Sequence, residues 1–125
     1  MNAKSYTQSS YPQAGPRREP TFTVGLVQRA CTDSIAENLG GTIDAIQQCA
    51  KQGAQVICLQ ELFALPYFCA TEDHAKFERA ESIPGSTTKT ICDVAKRLDV
   101  VVVAPLFERR GAGVYHNSAA VIDAD

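Results

Sequence analysis

Gln55 to Gln60 reads QVICLQ, a run of strand length whose apolar centre lies between two glutamines, with Glu61 directly after it. Upstream, Phe22 to Ala30 (FTVGLVQRA) is a second such run, in which Val24, Leu26 and Val27 suit a buried position. Between the two, Ser34-Ile35-Ala36-Glu37 has capping-box spacing: a serine that can cap a helix and a glutamate at the third helical position. Ile35, Leu39, Ile43, Ile46 and Ala50 then recur at helical intervals, and Gly53 follows Gln52 as a stop. Gly40-Gly41 costs such a helix about 1 kcal/mol per glycine, and close packing against a sheet is the expected reason for the pair. Strand, helix and strand joined by short connections make a βαβ unit, with parallel strands and a right-handed crossover.

Further along, residues 61–75 (ELFALPYFCATEDHA) have no period. Pro66 with the aromatic residues Phe63, Tyr67 and Phe68 predicts an ordered loop, and a short helical stretch is expected over 74–80. Ile83-Pro84-Gly85 marks a turn. Ser86 or Thr87 then opens a second helix whose Ile91, Val94, Ala95 and Leu98 share one face, and Asp99 ends it. Val100 to Phe107 (VVVVAPLF) is a third strand, expected to be buried on both faces as far as Pro105. Glu108 to Gly113 (ERRGAG) is a polar turn, and Tyr115 to Ala124 (YHNSAAVIDA) a fourth strand paired back as a hairpin. Residues 1–20 are rich in Ser, Gln, Pro and Gly and read as a disordered tail, leaving 21–125 as one α/β domain. The tail has no apolar core of a secretory signal. Lys4, Arg17 and Arg18 hint at a transit peptide, but three prolines oppose the amphipathic helix it needs.

Composition removes several classes of function. A chain of 125 residues with 45% hydrophobic residues supports one core. A formal net charge of −2 with no basic stripe gives nothing for nucleic acid or an anionic membrane to bind. The longest apolar run, Val100 to Leu106, falls far short of the ~20 residues that span a bilayer. The five cysteines (Cys31, Cys49, Cys58, Cys69, Cys92) are odd in number and form no C-x-x-C pair, which fits reduced thiols in a cytoplasmic protein. Neither His74 nor His116 has ligand spacing to a cysteine, so no metal is expected.

Glu61 is the residue on which chemistry can be placed. In open α/β sheets, ligands bind outside the carboxyl ends of the strands. A carboxylate there, followed by Phe63, Leu65, Tyr67 and Phe68, is expected to be partly desolvated and so a better proton acceptor near neutrality. The competing reading is a solvated glutamate at a strand end.

Gln60 to Glu72 (QELFALPYFCATE) resembles the segment around the first catalytic glutamate of the nitrilase superfamily of carbon–nitrogen hydrolases, in the pattern of its N-carbamoylputrescine amidase type. Three further stretches agree in order: Val24 to Leu39, Ile83 to Arg110 and Gly113 to Asp125. The likeness covers about residues 22–125. It implies the N-terminal part of an α-β-β-α sandwich and a Glu-Lys-Cys triad. In that chemistry a Cys thiolate attacks an amide or ureido carbonyl, the Glu takes the thiol proton and later activates water, and the Lys stabilises the oxyanion. Glu61 carries over as the general base, with Tyr67 and Phe68 as substrate-binding walls of the pocket and Asn117 holding loop geometry. The resemblance implies a small carbamoyl-amine or amide substrate, no cofactor, and a homo-oligomer in the full-length family. No lysine or cysteine of this sequence sits in the matching Lys or Cys motif, so the chain alone is expected to be inactive. Cys69 and Cys58 are read as packing residues, His116 as hydrogen-bonded structure, Glu72-Asp73-His74 as a solvated face or helix start, and Arg109-Arg110 as a solvated turn or subunit contact.

Three readings follow. The first is part of an N-carbamoylputrescine amidase-like hydrolase of polyamine synthesis, with β-ureidopropionase-like or ω-amidase-like substrates as alternatives. The second is a non-catalytic module that binds or regulates a homologue. The third, which needs no family, is a flavodoxin-like binder; it lacks a G-x-G-x-x-G or P-loop.

Overall fold

The structure, a computed structural model, describes residues 21–69 and 72–125; the expected tail over residues 1–20 lies outside them. The strands β1 (Val24–Val27), β2 (Val56–Leu59), β3 (Val101–Gly111) and β4 (Val114–Ile122) form one sheet in chain order. The first three run parallel, and β4 returns antiparallel to β3. The helices are α1 (Ile35–Lys51), between β1 and β2, and α2 (Ser86–Leu98), before β3. A 3₁₀ turn over His74–Arg79 occupies the expected short helical stretch.

Ser34 caps α1 by accepting from Glu37 N at 3.3 Å. The reciprocal half of the box is not made: Glu37 accepts from Thr32 Oγ1 instead, and Ser34 N donates to Thr32. The buried line of α1 is Asn38, Thr42 and Ile46, one position round from the expected face, with Leu39 and Ile43 at its flank. The glycine pair is not explained by sheet packing. A side chain at Gly40 would meet nothing, and Gly41 lies under the Arg29 guanidinium. The close approach is at Gly25 in β1, where a Cβ would stand 2.8 Å from Cys49 Cβ of α1. In α2, Ile91, Val94 and Ala95 are buried and Asp99 closes the helix in the left-handed region at φ 55°.

Gly85 has no side chain with which to cap α2, and Glu81 takes that role. Its Oε2 accepts from Thr87 N at 3.0 Å and lies 3.4 Å from Ser86 Oγ, placing a carboxylate at the positive end of the helix. The Glu81 backbone meanwhile pairs with β3, donating to Phe107 O and accepting from Arg109 N. One residue thus ties α2 to the far half of β3. β3 runs on to Gly111, and only Ala112 and Gly113 remain as the turn, with Gly113 at φ 71°. The polar residues expected to form the turn extend the hairpin instead, because a strand with one face in solvent accepts them.

Both helices cover the same face of the sheet, α1 over β1 and β2, α2 over β3 and β4. That face holds Val27, Ile57, Leu59, Val102, Ala104, Leu106 and Ile122, all buried. No described residue forms a matching layer on the other face. There Leu26, Cys58, Val103 and Val121 stand in register across all four strands. Leu26 is 79% and Val121 72% exposed, and Val24 is also exposed. The expectation that β3 is buried on both faces is therefore corrected: Val102, Ala104 and Leu106 are buried, while Val101, Val103 and Pro105 are half-covered.

Candidate active site

β2 stops at Leu59 while β3 and β4 continue, so the chain leaving β2 turns across the far half of the hairpin. Gln60 prolongs the β1–β2 ladder with its side chain, accepting from Arg29 N and donating to Arg29 O at 2.7 Å. Glu61 follows, and its Oε1 accepts a 2.5 Å hydrogen bond from Asn117 Nδ2 of β4. Leu62 then adopts a left-handed φ of 51°, an unfavourable setting for a branched side chain that its burial offsets. Phe63 and Leu65 are buried too, which fixes the loop from below.

Asn38 fixes it from the side. This residue is 3% exposed; its Nδ2 donates to Ala64 O at 3.0 Å and Thr32 O at 2.6 Å, and its Oδ1 accepts from Thr32 N at 2.8 Å. The Cys31 thiol donates to Phe63 O at 3.3 Å. The β1–α1 connection and the Glu61 loop are thus pinned to each other. No motif in the sequence singles out Asn38. A polar residue in the middle of an apolar helical period was the available signal.

Glu61 is exposed, which corrects the expected desolvation. Phe63 and Leu65 point into the core rather than over the carboxylate, and Tyr67 is itself 57% exposed. Tyr67 reports on its charged neighbours: its phenol is pushed above the ordinary tyrosine value by Cys69 first and by Glu61 second. Phe68 packs on Phe107 with ring centroids 4.9 Å apart, and Phe107 stacks on Tyr115 at 5.7 Å, so an aromatic wall stands beside Glu61 on the hairpin. Phe77 closes this cluster against Tyr115 at 4.8 Å. The apolar cleft lined by Leu62, Leu65 and Phe107 does not include Glu61.

The remaining candidates fall elsewhere. Cys69 is exposed near Tyr67, and Cys58 is half-buried in β2. Asp73 caps the 3₁₀ turn by accepting from Ala75 N, with Glu72 and His74 exposed. His116 Nδ1 lies 3.7 Å from Glu108 Oε2, which also accepts from Ser118 Oγ at 2.6 Å. Arg109 sits over the Tyr115 ring and donates to Phe77 O, while Arg110 is exposed. Among the described residues no group of three or more His, Cys, Asp or Glu is placed to hold a metal ion, and no helix is long and apolar enough to cross a membrane.

The carbon–nitrogen hydrolase family model matches residues 23–125, the whole of the described sheet and both helices. The chain belongs to that family. The N-carbamoylputrescine amidase of Solanum lycopersicum is 36% identical over 104 residues, which are 82% of this chain and 34% of that protein. The citrullinase of Francisella tularensis is 39% identical over 103 residues, 82% of this chain and 36% of that protein. A carbon–nitrogen hydrolase from Helicobacter pylori G27 superposes with a TM-score of 0.72 at 30% identity, covering 83% of this chain and 36% of that one. The chain thus spans about a third of the length of the relatives it matches, corresponding to their N-terminal portion. The described residues form one sheet with a helix layer on one face.

Proposed function

We propose that residues 21–125 are the N-terminal part of an amidohydrolase domain, with residues 1–20 a tail, and that Glu61 is its general base. The carrying observation is the Glu61 carboxylate at the end of β2, on a loop pinned by Asn38 and hydrogen-bonded by Asn117. A base must be held where its proton donor will come, and this loop has the anchors for that. The substrate class favoured is a ureido compound, since N-carbamoylputrescine and citrulline, named for two of the relatives, both carry that group. The reaction is N-carbamoylputrescine and water to putrescine, carbon dioxide and ammonia, a step of polyamine synthesis. The cysteine nucleophile and the lysine that complete the triad are not supplied by residues 1–125, and the active species is a cytoplasmic homo-oligomer of the longer protein. Tyr67 and Phe68 wall the substrate pocket.

The test is ammonia release from N-carbamoylputrescine, citrulline and an ω-amide by the product of the full reading frame, by its Glu61→Gln variant, and by residues 1–125 alone. Turnover of a ureido substrate should fall at least ~10³-fold in Glu61→Gln, with none from the short chain. Preference for the ω-amide would reassign the substrate. Full activity in Glu61→Gln would remove Glu61 from the chemistry. A reading frame that closes at Asp125 would leave the non-catalytic module as the function.

A further inference from the structure

The base proposed above needs its carboxylate fixed, and nothing on its own loop fixes it. The carboxylate is exposed, the loop hydrogen bonds run through Phe63 and Ala64 carbonyls, and the buried side chains beside it are apolar. The contact comes from another element. Asn117 lies in β4 opposite Phe107, on the face of the sheet that the helices leave uncovered. β2 ends short of this level, so Glu61 reaches over β3 to a strand that is not the neighbour of its own. We infer that Asn117 is the positioning residue of Glu61. It selects one carboxylate rotamer and occupies Oε1, leaving Oε2 as the oxygen that receives the proton.

Three observations support this. The Asn117 amide nitrogen stands within hydrogen-bond distance of Glu61 Oε1, a contact between side chains 56 positions apart. Its direction is fixed by chemistry: an ionised carboxylate only accepts, so the Asn117 amide nitrogen must face it. Finally, Asn117 is held by a long antiparallel ladder from Val102–Ile122 to Arg109–Tyr115, so its backbone cannot follow a wandering glutamate. An amide suits the task better than a lysine or arginine would. It donates without carrying a charge, so it orients the base without suppressing its affinity for a proton to the degree a neighbouring cation does.

The inference rests on Glu61 being the base, and its test is independent of turnover. The chain has three asparagines, Asn2, Asn38 and Asn117, so selective ¹⁵N-asparagine labelling gives three side-chain amides. The Asn117 side-chain amide resonance should move in Glu61→Gln while the Asn38 amide keeps its position. In Asn117→Ala the Glu61 α–β proton couplings should average toward those of a free rotor, from values of one staggered rotamer in the native chain. The same spectra taken with Leu26→Lys and Val121→Lys added guard against self-association. An Asn117 amide unmoved by Glu61→Gln, or Glu61 couplings unchanged by Asn117→Ala, overturns the inference. Full activity of Glu61→Gln in the longer protein would overturn the base and leave these spectra as they are.

Discussion

The uncovered sheet face makes a quantitative demand on the isolated chain. Fully burying a leucine or valine side chain contributes about 1.5–3 kcal/mol. Leu26 and Val121 are 79% and 72% exposed, so covering each contributes about 1–2 kcal/mol. Two copies meeting face to face would cover four such side chains, about 5 kcal/mol. Imperfect fit halves that, leaving about 2.5 kcal/mol, or a factor of ~50 in the dissociation constant. The face also presents Val24, Val56, Val101 and Val103 in register with them, so nothing polar interrupts it at the centre. Residues 1–125 should therefore self-associate, and Leu26→Lys with Val121→Lys should weaken that association at least ~50-fold. Sedimentation velocity across a concentration series reads both. A wild-type chain that sediments as a monomer at ~100 μM and unfolds cooperatively would refute the reasoning, because it would mean that this face costs little in water.

Three further outcomes can be measured in the double-lysine background. Asn38→Ala removes four hydrogen bonds, three of them with Thr32 at the exposed loop, and should cost about 2 kcal/mol, a drop of roughly 1–2 M in urea midpoint; a change under about 0.5 kcal/mol would mean the anchor is dispensable. Glu81→Ala should cost about 1–2 kcal/mol through the uncapped start of α2, with Glu81→Gln recovering most of it, and equal losses in the two would point to packing rather than capping. The raised Tyr67 value means the fold favours the protonated phenol, a preference complete below the ordinary tyrosine value and lost as pH climbs through the raised one. Phenolate absorbance should accordingly show Tyr67 ionising above the ordinary tyrosine value, earlier in Glu61→Gln, and earlier still in Cys69→Ser; no change in either variant would dissociate Tyr67 from the Glu61 loop.

What could be read from the sequence followed from the kind of information each element carries. QVICLQ, the α2 face and the hairpin were legible because strand and helix periods are local, and the structure has each within a few residues of its expected place. The place of Glu61 directly after β2 was legible because the strand QVICLQ ends at it. Burial on the two sheet faces was not, because VVVVAPLF is apolar at every position and carries no sign of which side meets a helix. The desolvation expected of Glu61 failed for a related reason. Phe63, Leu65, Tyr67 and Phe68 are equally apolar in sequence, but alternation around the left-handed Leu62 sends two inward and leaves Tyr67 in water. The contacts that organise the site lie at long range: Asn38 to Ala64, and Asn117 to Glu61 across 56 positions. Spacing within a motif cannot report such pairs. A buried asparagine inside an apolar helical period, and an asparagine within the strand β4, are the traces they leave. Both are polar residues at positions where local structure gains nothing from them, which is the physical reason to look for a partner elsewhere in the chain.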